Sequence, residues 1–369
     1  MKKIWILADS IVSPLGSTTE ENFSKVKGGI SGLDLINQDV LGTHSFYGGF
    51  VSYLSKTESS SKFEVLCQRV IEQLLAKVSI PKDRTLFILS TTKGNISFLE
   101  EGVPDHPRIH LHKTASYLAD IYGLPSHLVV SNACISGVMA MIVAGRLISA
   151  GQFDYAVIVG ADVLSRFVVS GFESLHALSP DRCRPFDAQR NGINLGECAA
   201  GVVLGLRESS NEVSSVYISG CGLSNDANHI SGPSRTGEEL AMAMLQALQE
   251  AGKKPAEIDF ISAHGTATLY NDEMEAKAFH IMNMAETSVN SMKGYFGHTL
   301  GAAGVLETIL SAECLKHDQL IATAGFNQIG VSKPLNVIRE PANIKLHTCL
   351  KTASGFGGCN AAIVLQKVN

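Results

Sequence analysis

Leu128-Val129-Val130-Ser131-Asn132-Ala133-Cys134-Ile135-Ser136-Gly137 leads from a short apolar strand into Val138 to Ile148, a segment apolar on nearly every side. A helix that is apolar all round is a buried helix, so this strand feeds directly into the core of an α/β protein. The same grammar recurs outward from it. Ile4 to Ala8 is an apolar run followed by the turn Ser13-Pro14-Leu15-Gly16. Ser17 or Thr18 is placed to cap a helix through Glu20, Glu21 and Lys27, closed by Gly28-Gly29. Residues 62–77 and 113–122 read as helices flanking the continuous apolar strand Thr85 to Ser90. Tyr155 to Gly160 and Gly201 to Leu204 are further buried strands. A helix over 236–251 ends at Gly252, a strand over 258–262 runs into His264-Gly265-Thr266, residues 301–317 are helical, and Ala361 to Leu365 is a terminal strand. Fully apolar strands alternating with helices predict sheets covered on both faces. The polar, aperiodic stretch 206–215 divides the chain into two halves of comparable pattern, 1–205 and 206–369.

The chain has 369 residues, 45% of them hydrophobic and 18% charged, which excludes an intrinsically disordered protein. A formal net charge of −5 argues against a nucleic-acid binder. The eight cysteines are scattered and no two fall in a C-x-x-C spacing. They predict thiols in a reducing compartment rather than a disulfide frame. The N-terminus imitates a signal peptide, but Asp9 ends the apolar run Ile4 to Ala8 too early for one. No stretch approaches the roughly 18 apolar residues of a membrane span. A cytoplasmic protein without a membrane partner is the expectation.

Four segments carry chemistry. Cys134 falls at or near the start of the buried helix, where exposed N–H groups would lower a thiol pKa and stabilise an oxyanion. Taken alone, it reads as the inert core cysteine that most free cysteines are. His264 follows a strand among small residues, Ser262-Ala263-His264-Gly265-Thr266-Ala267-Thr268, a composition that lets a side chain face a cavity. His298 lies in Lys293-Gly294-Tyr295-Phe296-Gly297-His298, just before a helix that carries Glu307. Lys293, His298 and Glu307 are placed to form one hydrogen-bonded group. A single histidine is more often structural. Ser354-Gly355-Phe356-Gly357-Gly358 reads as a tight loop, or as the source of an oxyanion-hole N–H with Phe356 as a gate. No helix follows it, which excludes a dinucleotide fingerprint. His106, His110 and His112 lack a carboxylate or thiolate at fitting spacing, so a polar loop is expected there and no metal site.

Together and in this order these segments resemble the elongating β-ketoacyl-acyl-carrier-protein synthases of the thiolase-like superfamily. The resemblance rests on Ala133-Cys134-x-Ser136-Gly137, His264-Gly265-Thr266-x-Thr268, Lys293-x-x-x-Gly297-His298-x-x-Gly301-Ala302-Ala303-Gly304 with Glu307, and Gly355-Phe356-Gly357-Gly358. Pro185-Phe186-Asp187, Arg190-Asn191-Gly192 and Gly196-Glu197 add to it. It implies a five-layer α-β-α-β-α sandwich of two pseudo-symmetric halves, the first carrying the nucleophile and the second the histidines and the glycine loop. It also implies a homodimer, with a heterodimer containing a chain-length partner as the alternative. The implied activity is decarboxylative condensation of malonyl-carrier protein with an acyl group held on Cys134. His264 and His298 stabilise the enolate, Lys293 and Glu307 orient His298, and the N–H groups of Cys134 and Phe356 form the oxyanion hole. Thr266, Thr268, Gly355 and Gly357 belong to the substrate loops. No metal or organic cofactor is implied, since the 4′-phosphopantetheine arm arrives with the acyl-carrier protein. Arg182, Arg184 and Arg190 are the candidates for docking that acidic carrier. Ser354 in place of the family's usual Phe, and a short segment between Gly94 and Tyr117, favour a polyene or polyketide-like chain, such as an aryl polyene, over housekeeping fatty-acid elongation. The same departures motivate a second reading, a non-catalytic or partner-dependent chain-length subunit.

Overall fold

The computed structural model describes residues 2–37, 41, 44–206, 215–227 and 232–368. Most of the expected polar seam, residues 207–214, lies outside them. Ten strands form the main sheet: β1 (Ile4–Val12), β2 (Thr85–Ser90), β3 (Ser126–Val130), β4 (Tyr155–Asp162), β5 (Cys198–Gly205), β6 (Val216–Asn225), β7 (Phe260–Ser262), β8 (Ser288–Asn290), β9 (Thr348–Gly355) and β10 (Cys359–Lys367). The principal helices are α1 (Thr19–Lys27), α2 (Lys62–Lys77), α3 (Leu111–Tyr122), α4 (Ser136–Ser149), α5 (Arg166–Ser174), α6 (Glu238–Ala251), α7 (Leu269–Ile281) and α8 (Ala303–His317).

The spatial order is β8-β7-β9-β10-β6-β1-β5-β4-β2-β3. Outward from the middle, β1-β5-β4-β2-β3 pair antiparallel, antiparallel, parallel, parallel. β6-β10-β9-β7-β8 repeat the same sequence of pairings. Only Ile4↔Ile218 and Trp5↔Tyr217 join β1 to β6. The sheet is thus two five-stranded halves of the same pairing pattern joined along one edge, as the resemblance implies.

Every residue of β2 and β5 is buried, as expected of strands covered on both faces. Successive side chains point to opposite faces. Leu86, Ile88, Ala156 and Ile158 join one core with α4 and α8, while Phe87, Leu89, Val157 and Val159 join another beneath α2 and α3. In the second half Ile363 and Leu365 face α4 and α8, whereas Ala362 and Val364 face α6 and α7. Helices α4 and α8 therefore form the middle layer. They cross where a Cβ added at Gly137 would stand 2.7 Å from Val305 N, and one at Gly304 would collide with Val138 N. The small residues of both motifs are what this backbone-to-backbone approach requires.

Local signals hold at the helix starts. Thr18 caps α1 by accepting from Glu21 N, and Ser61 with Glu64 forms a capping box on α2. The glycine segment is a β-hairpin turn between β9 and β10. Among the described residues no helix is long and apolar enough to cross a membrane.

Candidate active site

Cys134 sits in a strained turn between β3 and α4. Ala133, immediately before it, has φ 44°, in the left-handed region that non-glycine residues seldom enter. Ser136 pins that turn, its Oγ donating to Ala133 O at 2.6 Å and accepting from Asn132 N at 2.8 Å. Gly355 closes over the turn, and a Cβ there would stand 3.1 Å from Cys134 N. Sequence reasoning expects a lowered thiol pKa here, and the structure corrects it. Burial pushes the Cys134 thiol up to about 12, while the charge of Lys293 and the hydrogen bond from the Phe356 backbone N–H pull the other way. The first helical residue is Ser136, two positions further on, and the thiol itself is enclosed.

The loop after β7 places His264. Two carboxylates of α7, Asp272 in its first turn and Glu275 further along, hold it through its backbone. Glu275 accepts from His264 N at 2.8 Å and Gly265 N at 2.6 Å, and Asp272 accepts from Thr266 N at 3.0 Å and Ala267 N at 3.2 Å. Thr266 Oγ1 and Thr268 Oγ1 lie 2.8 Å apart on the same loop. His298 is fixed by its main chain, its N–H donating to Asn194 O at 2.7 Å and its carbonyl accepting from Gly196 N at 3.1 Å.

The fold brings Cys134 Sγ and a ring nitrogen of each histidine within 4.8 Å of one another. The two rings meet edge to face, 5.2 Å between centroids. Burial, then the nearby Lys293 charge, hold both histidines well below their ordinary pKa, with Lys351 adding to the effect. Both rings are neutral at physiological pH and offer N–H donors.

Lys293 and Glu307 join this group, but not as the sequence suggests. Lys293 Nζ lies 3.3 Å from His264 Nδ1 and donates to His264 O at 2.5 Å and to Glu307 Oε1 at 2.7 Å. It orients His264, not His298, whose two ring nitrogens have no hydrogen-bond partner among the described residues. An ammonium can only donate, so Nδ1 of His264 accepts and its proton sits on Nε2. Burial works to raise the Glu307 carboxyl, but Lys293 and Lys351 hold it below the usual range.

The Phe356 backbone N–H acts to lower the Cys134 thiol pKa, while the residue is 41% exposed and its ring stacks on Phe172 of α5 at 5.9 Å. Gly357 lies beside it with φ 86° at the tip of the turn. The arginines divide. Arg190 is buried, donates to Gly330 O at 2.6 Å and Asp187 O at 3.0 Å, and is thus a structural brace unavailable to a partner. Arg184 donates to Gln189 Oε1 at 2.7 Å, and Arg182, half exposed, lies over the Tyr47 ring. His106 accepts from Arg108 N and stacks on Phe98, the polar turn expected of that segment.

Sequence reasoning misses three buried charges behind the site: Glu275, Lys351 and Asp162. Asp162 Oδ2 accepts from Gly301 N at 2.7 Å and its Oδ1 from Thr91 Oγ1 at 2.8 Å, tying β4 to the start of α8. The available signal was a lone charge inside an apolar run, as in Leu350-Lys351-Thr352-Ala353 and Val159-Gly160-Ala161-Asp162.

Comparison with known proteins agrees with this geometry. Residues 114–209 match the β-ketoacyl synthase N-terminal domain and residues 216–327 the β-ketoacyl synthase C-terminal domain. The chain is 35% identical over 258 residues to 3-oxoacyl-[acyl-carrier-protein] synthase 2 of Rhizobium meliloti, covering 66% of this chain and 61% of that protein. It is 30% identical over 292 residues to nodulation protein E of Rhizobium leguminosarum bv. trifolii, covering 77% and 71%. A solved complex of a ketosynthase with its chain length factor from Xenorhabdus doucetiae contains a chain that superposes with TM-score 0.87 at 27% identity, over 99% of this chain and 98% of that one. A β-ketoacyl synthase from Burkholderia phymatum superposes with TM-score 0.89 at 26% identity over the whole of both chains. The chain belongs to the β-ketoacyl synthase family. It spans about three fifths of the length of the Rhizobium meliloti synthase that it matches.

Proposed function

We propose that the protein is a β-ketoacyl-acyl-carrier-protein synthase. The observation that carries this reading is the meeting of Cys134, His264 and His298 within 4.8 Å, with both histidines neutral. Cys134 attacks the thioester of an acyl-carrier protein, and the carrier's thiol leaves as the acyl group moves to sulfur. The N–H groups of Cys134 and Phe356 receive the oxyanion of this step. The resting thiol is protonated, so its proton must leave as sulfur attacks; His264 has no free lone pair, so a ring nitrogen of His298, unpartnered among the described residues, accepts the proton and passes it to the departing carrier thiolate. Malonyl-carrier protein then loses carbon dioxide. His264 Nε2–H and a ring N–H of His298 hold the enolate oxygen, and the enolate carbon attacks the acyl carbonyl to give 3-oxoacyl-carrier protein and the Cys134 thiolate, which takes up a proton from solvent. Lys293 and Lys351 make the surroundings suited to a developing negative charge rather than to a cation. This supports a reaction run without a metal, the 4′-phosphopantetheine arm being part of the substrate.

The repeated strand order supports dividing the chain into the halves 1–205 and 206–369, and the eight buried cysteines fit a reducing, cytoplasmic setting. The sheet ends at β3, whose outer edge has no neighbouring strand among the described residues. A homodimer joined through that edge is our reading. The altered Ser354 turn and short 94–117 segment favour a polyene or polyketide-like chain, aryl polyenes included. The alternative, a chain-length subunit in a heterodimer, draws on the neighbour solved with a chain length factor, but the complete Cys134, His264 and His298 centre speaks for a catalytic chain. Arg184 and Arg182 remain the proposed docking cations.

Incubation with aliphatic and aryl-polyenoyl carrier proteins, followed by peptide mass measurement, tests the reading. An acyl adduct on Cys134 is expected, and the preferred acyl group distinguishes the pathways. A folded protein that takes no acyl group from any donor would sink the catalytic assignment.

A further inference from the structure

Lys351 lies inside β9 with no exposed surface. An ammonium in that position is costly unless it is fully compensated. Its Nζ meets four oxygens: Thr352 O at 2.5 Å, Glu307 Oε2 at 2.7 Å, Ser262 O at 3.2 Å and Ala263 O at 3.3 Å. Ser262 and Ala263 are the two residues that deliver the chain to His264. Lys293 grips His264 from the other side, through its carbonyl and Nδ1. Glu307 thus carries one ammonium on each oxygen. Glu275 faces the group from α7, accepting the His264 and Gly265 N–H groups and the Thr352 hydroxyl. Cys349 is the remaining titratable neighbour on β9.

The sum is two carboxylates, two ammonium groups and two neutral rings in a closed space. A packing role needs no charge here, because an apolar side chain of similar volume fills a buried site at least as well. What the charge supplies is balance. With Lys351 present, Glu307 stays ionised, and a proton added to His264 or His298 would meet a second fixed positive charge.

We infer that Lys351 is a positioning residue of the condensation site, a tethered internal cation that keeps Glu307 charged and His264 neutral and aimed. The inference rests on the condensing function proposed above. Removing the charge lets Glu307 and both rings take up protons more readily. Each change costs activity at low pH, so the two act in the same direction.

Lys351→Met keeps most of the volume and removes the charge. Decarboxylation of malonyl-carrier protein and condensation are measured against pH beside the wild type. The acid limb is expected to move up by about 1–3 pH units, with less change at the alkaline plateau. Lys351→Ala is expected to recover its limb with ammonium chloride and not with tetramethylammonium chloride, which matches ionic strength but is too large for the space. An unshifted limb in folded Lys351→Met, or equal recovery by both salts, would overturn the inference. Should Lys351→Met fail to fold, Glu307→Gln decides. Adding Lys351→Met to it is expected to raise the melting temperature, because an unpaired ammonium is relieved, and a further fall overturns the inference. A wild type without decarboxylation or condensation defeats the condensing reading instead. The ring-proton NMR titrations of His264 and His298 then test Lys351, with higher midpoints expected in Lys351→Met and unchanged ones overturning it.

Discussion

His264 and His298 touch the same point in space from loops held by opposite means. The His264 loop is gripped by charge: Glu275 and Asp272 take its N–H groups, Lys293 takes its carbonyl and Nδ1, and Lys351 the two carbonyls before it. The His298 loop is gripped by uncharged backbone, through Asn194 O and Gly196 N, and its ring nitrogens are left open. Under the proposed function, two donors to one enolate can thus be positioned independently. One is aimed by a buried ion network that also fixes its tautomer, the other by close packing alone.

The comparison is broken most directly at Glu307. Glu307→Ala leaves Lys293 and Lys351 facing each other without the carboxylate between them. A stability loss of about 3–5 kcal/mol is expected from denaturant titration. An unchanged midpoint would mean that the network does not hold the His264 loop. Next in size are the rings themselves. His264→Ala and His298→Ala are each expected to slow carbon dioxide release from malonyl-carrier protein by about 10²–10³-fold, the effect of one lost oxyanion donor. Only His264→Ala should also lower the melting temperature markedly, because it deprives Lys293 of an acceptor. Equal melting temperatures would erase the distinction between the two loops.

A smaller effect sharpens it from the packing side. Gly304→Ala drives a methyl group into Val138 N at the helix crossing, where the obstacle is backbone and cannot turn aside. About 1–3 kcal/mol is expected, toward the upper end, read from the shift in unfolding midpoint.

The smallest effect is in the pH dependence. Both rings titrate well below their unfolded value of about 6.5. As pH falls below that value the unfolded chain binds protons first, so stability present at neutral pH is lost on acidification. Cys134 runs the other way: with its thiol at about 12, its contribution is complete below pH ~9 and lost as pH rises beyond it. His298→Ala should flatten the acid slope and Cys134→Ala the alkaline one, measured as unfolding free energy against pH.

Much of this was legible in the residues. Helix α2 announces itself through Ser61 and Glu64 and matches the expected 62–77, and the buried strands from Thr85 to Gly205 show as apolar runs. Strand β9 does not, because Lys351 interrupts its apolar run, and β6 is diluted by Gly220 and Gly222, which sit against the backbone of α6. The reacting trio was legible because each member stands among small residues at the end of a strand or the start of a helix. Its wiring was not. Lys293 is five positions from His298 and 29 from His264, yet it is the distant ring that it touches. Chain proximity is a poor guide where a short helical turn, Lys293–Phe296, separates the two residues.

Phe356 divides its labour between two parts of one residue. Its N–H stays at the thiol, set by the hairpin, while its ring stands at the surface against Phe172. A peptide N–H persists whatever side chain the residue carries, proline excepted. Under the proposed function, a substitution at residue 356 other than proline therefore changes the exposed ring without removing the oxyanion donor.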